Sequence, residues 1–273
     1  MTTTQQGTIA PIRRQVVVSA NADRAFTAWT EELAGWWPFE RHSVYGAHSS
    51  AAFVDGRLVE SGPDGSQQLW GTVTTWEPGQ QLSMTWHPGQ DGDSATTVDV
   101  RFDAISDDRT LVTLTHTGWE NRANATEARD EYGRGWPTVV GQFAARLDAA
   151  SGSEGSASHG ATWLVLQHSA VPGTEGSVFA SPLFREHIAF LARLNDRGWL
   201  VAAGNLPDSP GSGMAILRVN EKDAHMAVIA AQEDDQSVTK GLFEVCVRPW
   251  NVALSGVTLA GSPTRGEVDA SLG

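Results

Sequence analysis

Residues 151–160 of the 273-residue chain, SGSEGSASHG, offer no apolar period to bury, and a chain interrupted near its middle by such a stretch cannot run one continuous core across it. Division into two parts follows, since pieces of roughly 100–150 residues each suffice for a core of their own. The expected organisation is a domain over 8–150, a flexible Ser/Gly linker over 151–161, a second domain over 162–252 and a disordered tail over 253–273, with a short disordered start over 1–6. A ten-residue Gly/Ser tether spans roughly 17 Å root-mean-square, which sets an effective concentration of order millimolar between the pieces it joins.

The formal net charge of −13 disfavours phosphate backbones and anionic bilayer surfaces, so neither nucleic acid nor membrane is expected as a partner. A single cysteine, Cys246, excludes an internal disulfide, and the sequence has no basic-then-apolar leader and no apolar run of about 20 residues. The expected location is the cytoplasm. Eleven tryptophans accompany only two tyrosines, and eight of the eleven lie between Trp29 and Trp136. Indoles fill cores and also line cavities, so this half is a candidate for either use.

In the first half, residues 12–18 read as a strand. Asn21 is a candidate N-cap for a helix whose Ala22, Phe26, Trp29 and Leu33 share one face and which is expected to end at Gly35. Six short strands are expected over 51–54, 57–60, 68–76, 81–86, 96–102 and 110–117, punctuated by turn residues such as Asp55-Gly56 and Pro78-Gly79. The product is an antiparallel meander. A last helix over 126–149 carries Val139, Val140, Phe143, Ala144 and Leu147 on one face, and Gly133, Gly135 and Pro137 predict irregular or kinked first turns.

Residues 28–30 (AWT) with Trp36-Trp37, 71–73 (GTV) with 76–78 (WEP), 82–86, Gly118-Trp119 and Gly135-Trp136 occur in an order that resembles the helix-grip family. That family holds START-like carriers, polyketide cyclases and domains named after the activator of the Hsp90 ATPase. The resemblance implies an α+β domain in which a curved antiparallel sheet grips a long C-terminal helix around an apolar cavity. A hydrophobic or aromatic small molecule is the implied ligand, with Trp36, Trp37, Trp86, Trp119 and Trp136 as candidate walls. Glu60, His87, His116 and Glu120 are candidate polar groups, Glu60 and His116 foremost. Solvated positions at strand ends are the competing reading for these four.

The second half reads in the order βαββαβ, with strands over 163–168, 200–203, 214–219 and 242–248. Its first helix is capped by Ser181 with Pro182 at the first helical position and is stopped by Gly198, and a second helix is expected over 221–231. This pattern is ferredoxin-like. His187 falls on or beside the apolar stripe of Leu183, Leu191 and Leu194, where it is either a core histidine satisfied by a carbonyl or, beside a carboxylate, a usable acid or base.

Residues 185–191, 198–204, 211–213, 235–242 and 248–250 (RPW) resemble the YCII-related family, a dimeric α+β barrel. The resemblance implies a catalytic pair, His187 and Asp235, in one cleft, although Gln236 stands where the family has proline. Ser212 and Arg248 are assigned to holding an anionic substrate. A homodimer through this domain is expected, with no cofactor and no metal, since no phosphate-cradling loop, GxSxG elbow or metal-spaced His or Cys pair occurs. The combined expectation is a protein of small-molecule metabolism with lyase-like acid–base chemistry. The alternative is a carrier or sequestering protein, and an Hsp90 co-chaperone is the remotest reading, because fold alone does not supply the required surface.

Overall fold

The computed structural model describes residues 9–150 and 160–253. The expected disordered start over 1–6, linker positions 151–159 and tail positions 254–273 lie outside the described residues. Two compact units form, residues 1–154 and residues 155–273.

The first unit contains strands β1 (Ile12–Val18), β2 (Ser50–Val54), β3 (Arg57–Ser61), β4 (Gln67–Glu77), β5 (Gln81–Trp86), β6 (Thr96–Ser106) and β7 (Arg109–Thr117), with helices α1 (Ala22–Thr30) and α2 (Ala125–Ala150). Its strands make one antiparallel sheet in the order β1-β7-β6-β5-β4-β3-β2. Period-two alternation sends Val98, Val100 and Phe102 of β6 inward, opposite His116, Leu114 and Val112 of β7. Onto that face α2 lays Trp136, Val139, Val140, Phe143 and Leu147. This curved sheet around one long helix fits the helix-grip architecture.

One expectation in this unit needs correction. Helix α1 ends at Thr30 and not at Gly35, and Leu33 begins a separate 3-10 turn while remaining buried. Thr30 turns its hydroxyl back onto Phe26 O at 2.8 Å, and the following turn lets Trp36 Nε1 donate to Ala28 O, also at 2.8 Å. Helix α2, for which irregular or kinked first turns were expected, is continuous over Ala125–Ala150 with the glycines and Pro137 inside it. Proline has no N–H for the carbonyl four residues back, Gly133 O, and Arg14 Nη2 supplies a donor to it at 3.0 Å.

In the second unit β8 (Ala161–Ala170) leads to α3 (Pro182–Asp196), then β9 (Leu200–Asn205), β10 (Ser212–Asn220), α4 (Ala224–Ile229), α5 (Gln236–Thr239) and β11 (Phe243–Pro249). Strand β8 thus starts inside the expected linker. All pairings are antiparallel, in the order β11-β8-β10-β9. Ser181 caps α3 by accepting from Leu183 N at 3.2 Å, with Pro182 at the first position. The expected helix over 221–231 is instead a 3-10 turn, α4 and a π-helical turn over Ala230–Asp234. Asp235 then leaves the helix in an extended conformation and caps α5, accepting from Ser237 N at 2.9 Å. No helix among the described residues is long and apolar enough to cross a membrane.

A close approach in the first unit yields a test. A Cβ on Gly71 would meet the carbonyl oxygen of Thr85 well inside van der Waals distance, and backbone cannot swing aside as a side chain can. Gly71→Ala is expected to lower stability by about 1–3 kcal/mol or more. Tryptophan fluorescence during denaturant unfolding reads this unit, because eight of the eleven indoles lie in it. An unchanged midpoint would contradict the close packing of β4 on β5.

Candidate functional site

Helix α2, β4 and β5 enclose a cavity of about 410 Å³ in the first unit, within the range that holds a small organic ligand. Trp37, Trp70, Trp86 and Trp136 form its aromatic wall, with ring centroids 5.1 Å apart for Trp37–Trp70, 5.7 Å for Trp70–Trp86 and 5.5 Å for Trp86–Trp136. Tyr132, Arg122, Arg41 and His42 add polar groups. Burial, then the charge of Arg41, lowers the pKa of His42.

Hydrogen bonds fix this wall from behind. Trp37 Nε1 donates to His42 O at 2.5 Å, and Trp70 Nε1 donates to Glu60 Oε2 at 2.7 Å. The same buried carboxylate accepts from Val44 N at 2.9 Å and Tyr45 N at 3.0 Å. Burial on its own would raise the Glu60 pKa, but the hydrogen bonds from Tyr45, Val44, Ser49 and Trp70 outweigh it and hold the carboxyl below its usual value. Trp136 Nε1 donates to His116 Nδ1 at 3.0 Å, which leaves the ring proton on Nε2, 2.6 Å from Thr96 Oγ1. Thr96 in turn donates to Trp86 O at 2.9 Å, so two walls of the cavity are joined through one imidazole and one hydroxyl.

Of the residues expected to face a ligand here, Trp37, Trp86 and Trp136 line the cavity. Glu60, His116, Trp36 and Trp119 do not. The first two are buried behind the wall with their polar atoms committed as described. Trp36 packs between Trp29 and Phe143, and the Trp119 ring lies tilted against that of His116 with centroids 4.1 Å apart. His87 is buried off the lining, and Glu120 is exposed in a 3-10 turn. Sequence reasoning missed Trp70, Tyr132 and Arg122; the alternation of β4 was the available signal for Trp70 alone.

In the second unit His187 Nδ1 lies 2.7 Å from Asp235 Oδ2, with Asp235 wholly buried and His187 nearly so. The capping position of Asp235 supplies two further bonds to Oδ1, from Ser237 N at 2.9 Å and Ser237 Oγ at 2.6 Å. Burial pushes the Asp235 pKa up and is outweighed by the bonds to His187 and Ser237, so the carboxylate stays ionised. An ionised Asp235 makes Nδ1 the donor of this bond and leaves Nε2 as the ring atom free of Asp235. His187 and Ser212 both line a cavity of about 170 Å³.

A third titratable group, His168 of β8, was missed by sequence reasoning. Its Nε2 is buried without a hydrogen-bond partner, 3.6 Å from Asp235 Oδ2, and its ring is 4.6 Å from that of His187. Burial first, then the neighbouring His187, pushes its pKa down to about 4, against the pull of Asp235. The signal was present, since Leu164, Leu166 and His168 share the inward parity of β8. Arg248 departs from expectation. It is exposed on β11 and off the cavity, because its parity is opposite to that of Phe243, Val245 and Val247.

His168, His187 and Asp235 present donor atoms within 4.8 Å of one another, from β8, α3 and the cap of α5. Local spacing could not reveal this donor set, which suits a divalent transition metal. The 2.7 Å between His187 and Asp235 is nevertheless shorter than the about 3.3 Å that two ligands keep on one tetrahedral ion with bonds near 2.0–2.1 Å. The arrangement as it stands is a hydrogen-bonded pair with a neutral imidazole beside it.

Residues 19–148 match the family described as "Activator of Hsp90 ATPase homolog 1-like protein". They form an AHSA1-like domain. Among solved structures, similarity extends to the self-sacrificing resistance protein CalC from Micromonospora echinospora, at 24% identity over 53% of this chain and 97% of that one, with a TM-score of 0.43. The anthrahydroquino-gamma-pyrone synthase Txn09 is 25% identical over 50% of this chain and 97% of its own, with a TM-score of 0.36. The Aha1 dimer from Colwellia psychrerythraea is 16% identical over 53% and 100%, with a TM-score of 0.37. No curated protein matches the chain.

Burial, then the charge of Arg122, pushes the His116 pKa in the AHSA1-like domain down to about 3. The unfolded chain, near 6.5, therefore takes up that proton first as pH falls, so stability is intact above about pH 6.5 and is lost between there and pH 3. At pH 5 the expected loss from this residue is about 2 kcal/mol. His116→Gln should be less stable at pH 7.5 yet flatter between pH 7.5 and 5 in fluorescence-detected unfolding. Equal slopes would contradict a neutral buried imidazole.

Proposed function

We propose that the AHSA1-like domain binds a hydrophobic or aromatic small molecule in its tryptophan-walled cavity, and that His187 and Asp235 carry out acid–base, lyase-like chemistry on a small molecule in the second unit. The observation that carries the first part is the cavity of about 410 Å³ with four indoles in its wall. Aromatic faces bind planar apolar ligands through area and offset stacking, and the backing hydrogen bonds keep the indoles from collapsing inward.

For the second part, an ionised carboxylate bonded to His187 Nδ1 favours an imidazole whose Nε2 takes a proton from a bound substrate and returns it. Asp235 orients the ring and stabilises the imidazolium as it forms. A neutral His168 on the other side adds no positive charge that would oppose this. The unit's βαββαβ order and its β11-β8-β10-β9 sheet support reading it as a ferredoxin-like, YCII-related domain. Exposed apolar positions on that unit, Phe179, Ile188 and Met214 among them, suit pairing with a second copy, and a cytoplasmic site of action fits the composition. Hsp90 stimulation, which the family description brings to mind, needs a specific partner surface and does not travel with the fold.

A thermal-shift screen of the full chain against aromatic and polyketide-like compounds tests the binding part, a ligand at 100 times its Kd stabilising by about 2.7 kcal/mol. Any compound that is turned over should lose about 10²–10⁴-fold in rate in His187→Ala, with its effect on the AHSA1-like transition retained. Binding without turnover makes the protein a carrier. Turnover that survives His187→Ala removes the pair from the chemistry.

A further inference from the structure

Three N–H donors on residues that line the cavity of the AHSA1-like domain, Trp86 Nε1, Arg122 Nε and Arg122 Nη2, are closed off from solvent and make no hydrogen bond of good geometry. Leaving such donors unmet inside a protein costs free energy, more so on a charged group. They converge on Tyr132. The Arg122 guanidinium carbon lies 6.0 Å from the Tyr132 ring, and both Arg122 and Trp86 pull on the hydroxyl without completing a bond of good geometry. Burial is the larger influence there and pushes the Tyr132 pKa up, so its hydroxyl keeps its proton and is itself a donor.

Nε and Nη2 are not two arbitrary atoms of a guanidinium. They form one edge of its fork, the pair of parallel N–H bonds that matches the two oxygens of a carboxylate. Arg41 adds a second positive charge to the lining, opposed by Glu131. The remaining wall is the indole surface of Trp37, Trp70, Trp86 and Trp136.

We infer that this cavity selects aromatic carboxylates: the ring system lies among the indoles, and the carboxylate sits on the Arg122 fork with Trp86 Nε1 and the Tyr132 hydroxyl as further donors. The inference deepens the small-molecule reading given above and rests on it. It assigns Arg122, Trp86 Nε1 and Tyr132 the role of reading the anion, and it separates aromatic acids from the neutral polycycles that an aromatic cavity alone would accept.

The test compares two-ring and three-ring aromatic acids, beginning with 2-naphthoate, against their neutral carboxamides, in titrations of the full chain by tryptophan fluorescence and calorimetry. The acid is expected to bind roughly tenfold or more tighter than the amide, because a charge-assisted pair exceeds a neutral one by at least about 1.4 kcal/mol. Arg122→Gln should bring acid and amide to the same affinity, and Arg122→Lys, which keeps the charge without the fork, should fall between. Equal binding of acid and amide by the unaltered protein overturns this inference and leaves the cavity reading intact. Failure of every acid and every amide to bind overturns both, and neither result depends on a variant that must fold.

Discussion

A buried indole brings an N–H that has to meet an acceptor, and a domain that buries most of its eight tryptophans is shaped by where those acceptors are. Trp36 uses Ala28 O, Trp37 uses His42 O, Trp70 uses Glu60, Trp119 uses His116 O and Trp136 uses His116 Nδ1. Two of these solutions place ionisable groups in the interior, a carboxylate and an imidazole. Each is kept in one protonation state by what surrounds it. Glu60 then anchors the loop at Val44 and Tyr45, and His116 links Trp136 through Thr96 to β5. The cavity stays open because its walls are held outward.

This division of labour explains which sequence expectations succeeded. Ile12–Val18, the turn-punctuated meander and the Ser181-Pro182 start of α3 were legible, because each is a local pattern of period, cap or turn. Which polar side chains reach a ligand was not. Glu60 and His116 look like cavity groups by composition, yet both answer to indoles behind the wall, through pairings 10 and 20 residues away in sequence. Arg248 missed the second-unit cavity by strand parity alone, where one residue reverses the face.

The second unit follows the same logic on a smaller scale. Its helix stops at Asp234, and Asp235 steps out to cap α5, which puts one carboxylate oxygen on Ser237 and turns the other toward His187. His187 and Asp235 were paired at the sequence level through a family resemblance, and their separation is now 2.7 Å. His168 had no motif to announce it, and only the alternation of β8 carried it inward. Gln236, standing in the position the resemblance gives to proline, is the first residue of α5 and leaves the Asp235 cap intact.

Observation of the indole N–H groups themselves tests the account most directly. In ¹H–¹⁵N spectra the N–H of Trp36, Trp37, Trp70, Trp119 and Trp136 should exchange slowly with solvent, since their acceptors are already within the protein, and those of Trp36 and Trp119, which lie off the cavity, should move little when an aromatic ligand is added. The Trp86 N–H should shift most of all when such a ligand is added, because it is closed in beside the Tyr132 hydroxyl without a bond of good geometry. A Trp86 signal indifferent to every bound aromatic ligand would contradict a ligand cavity walled by that indole.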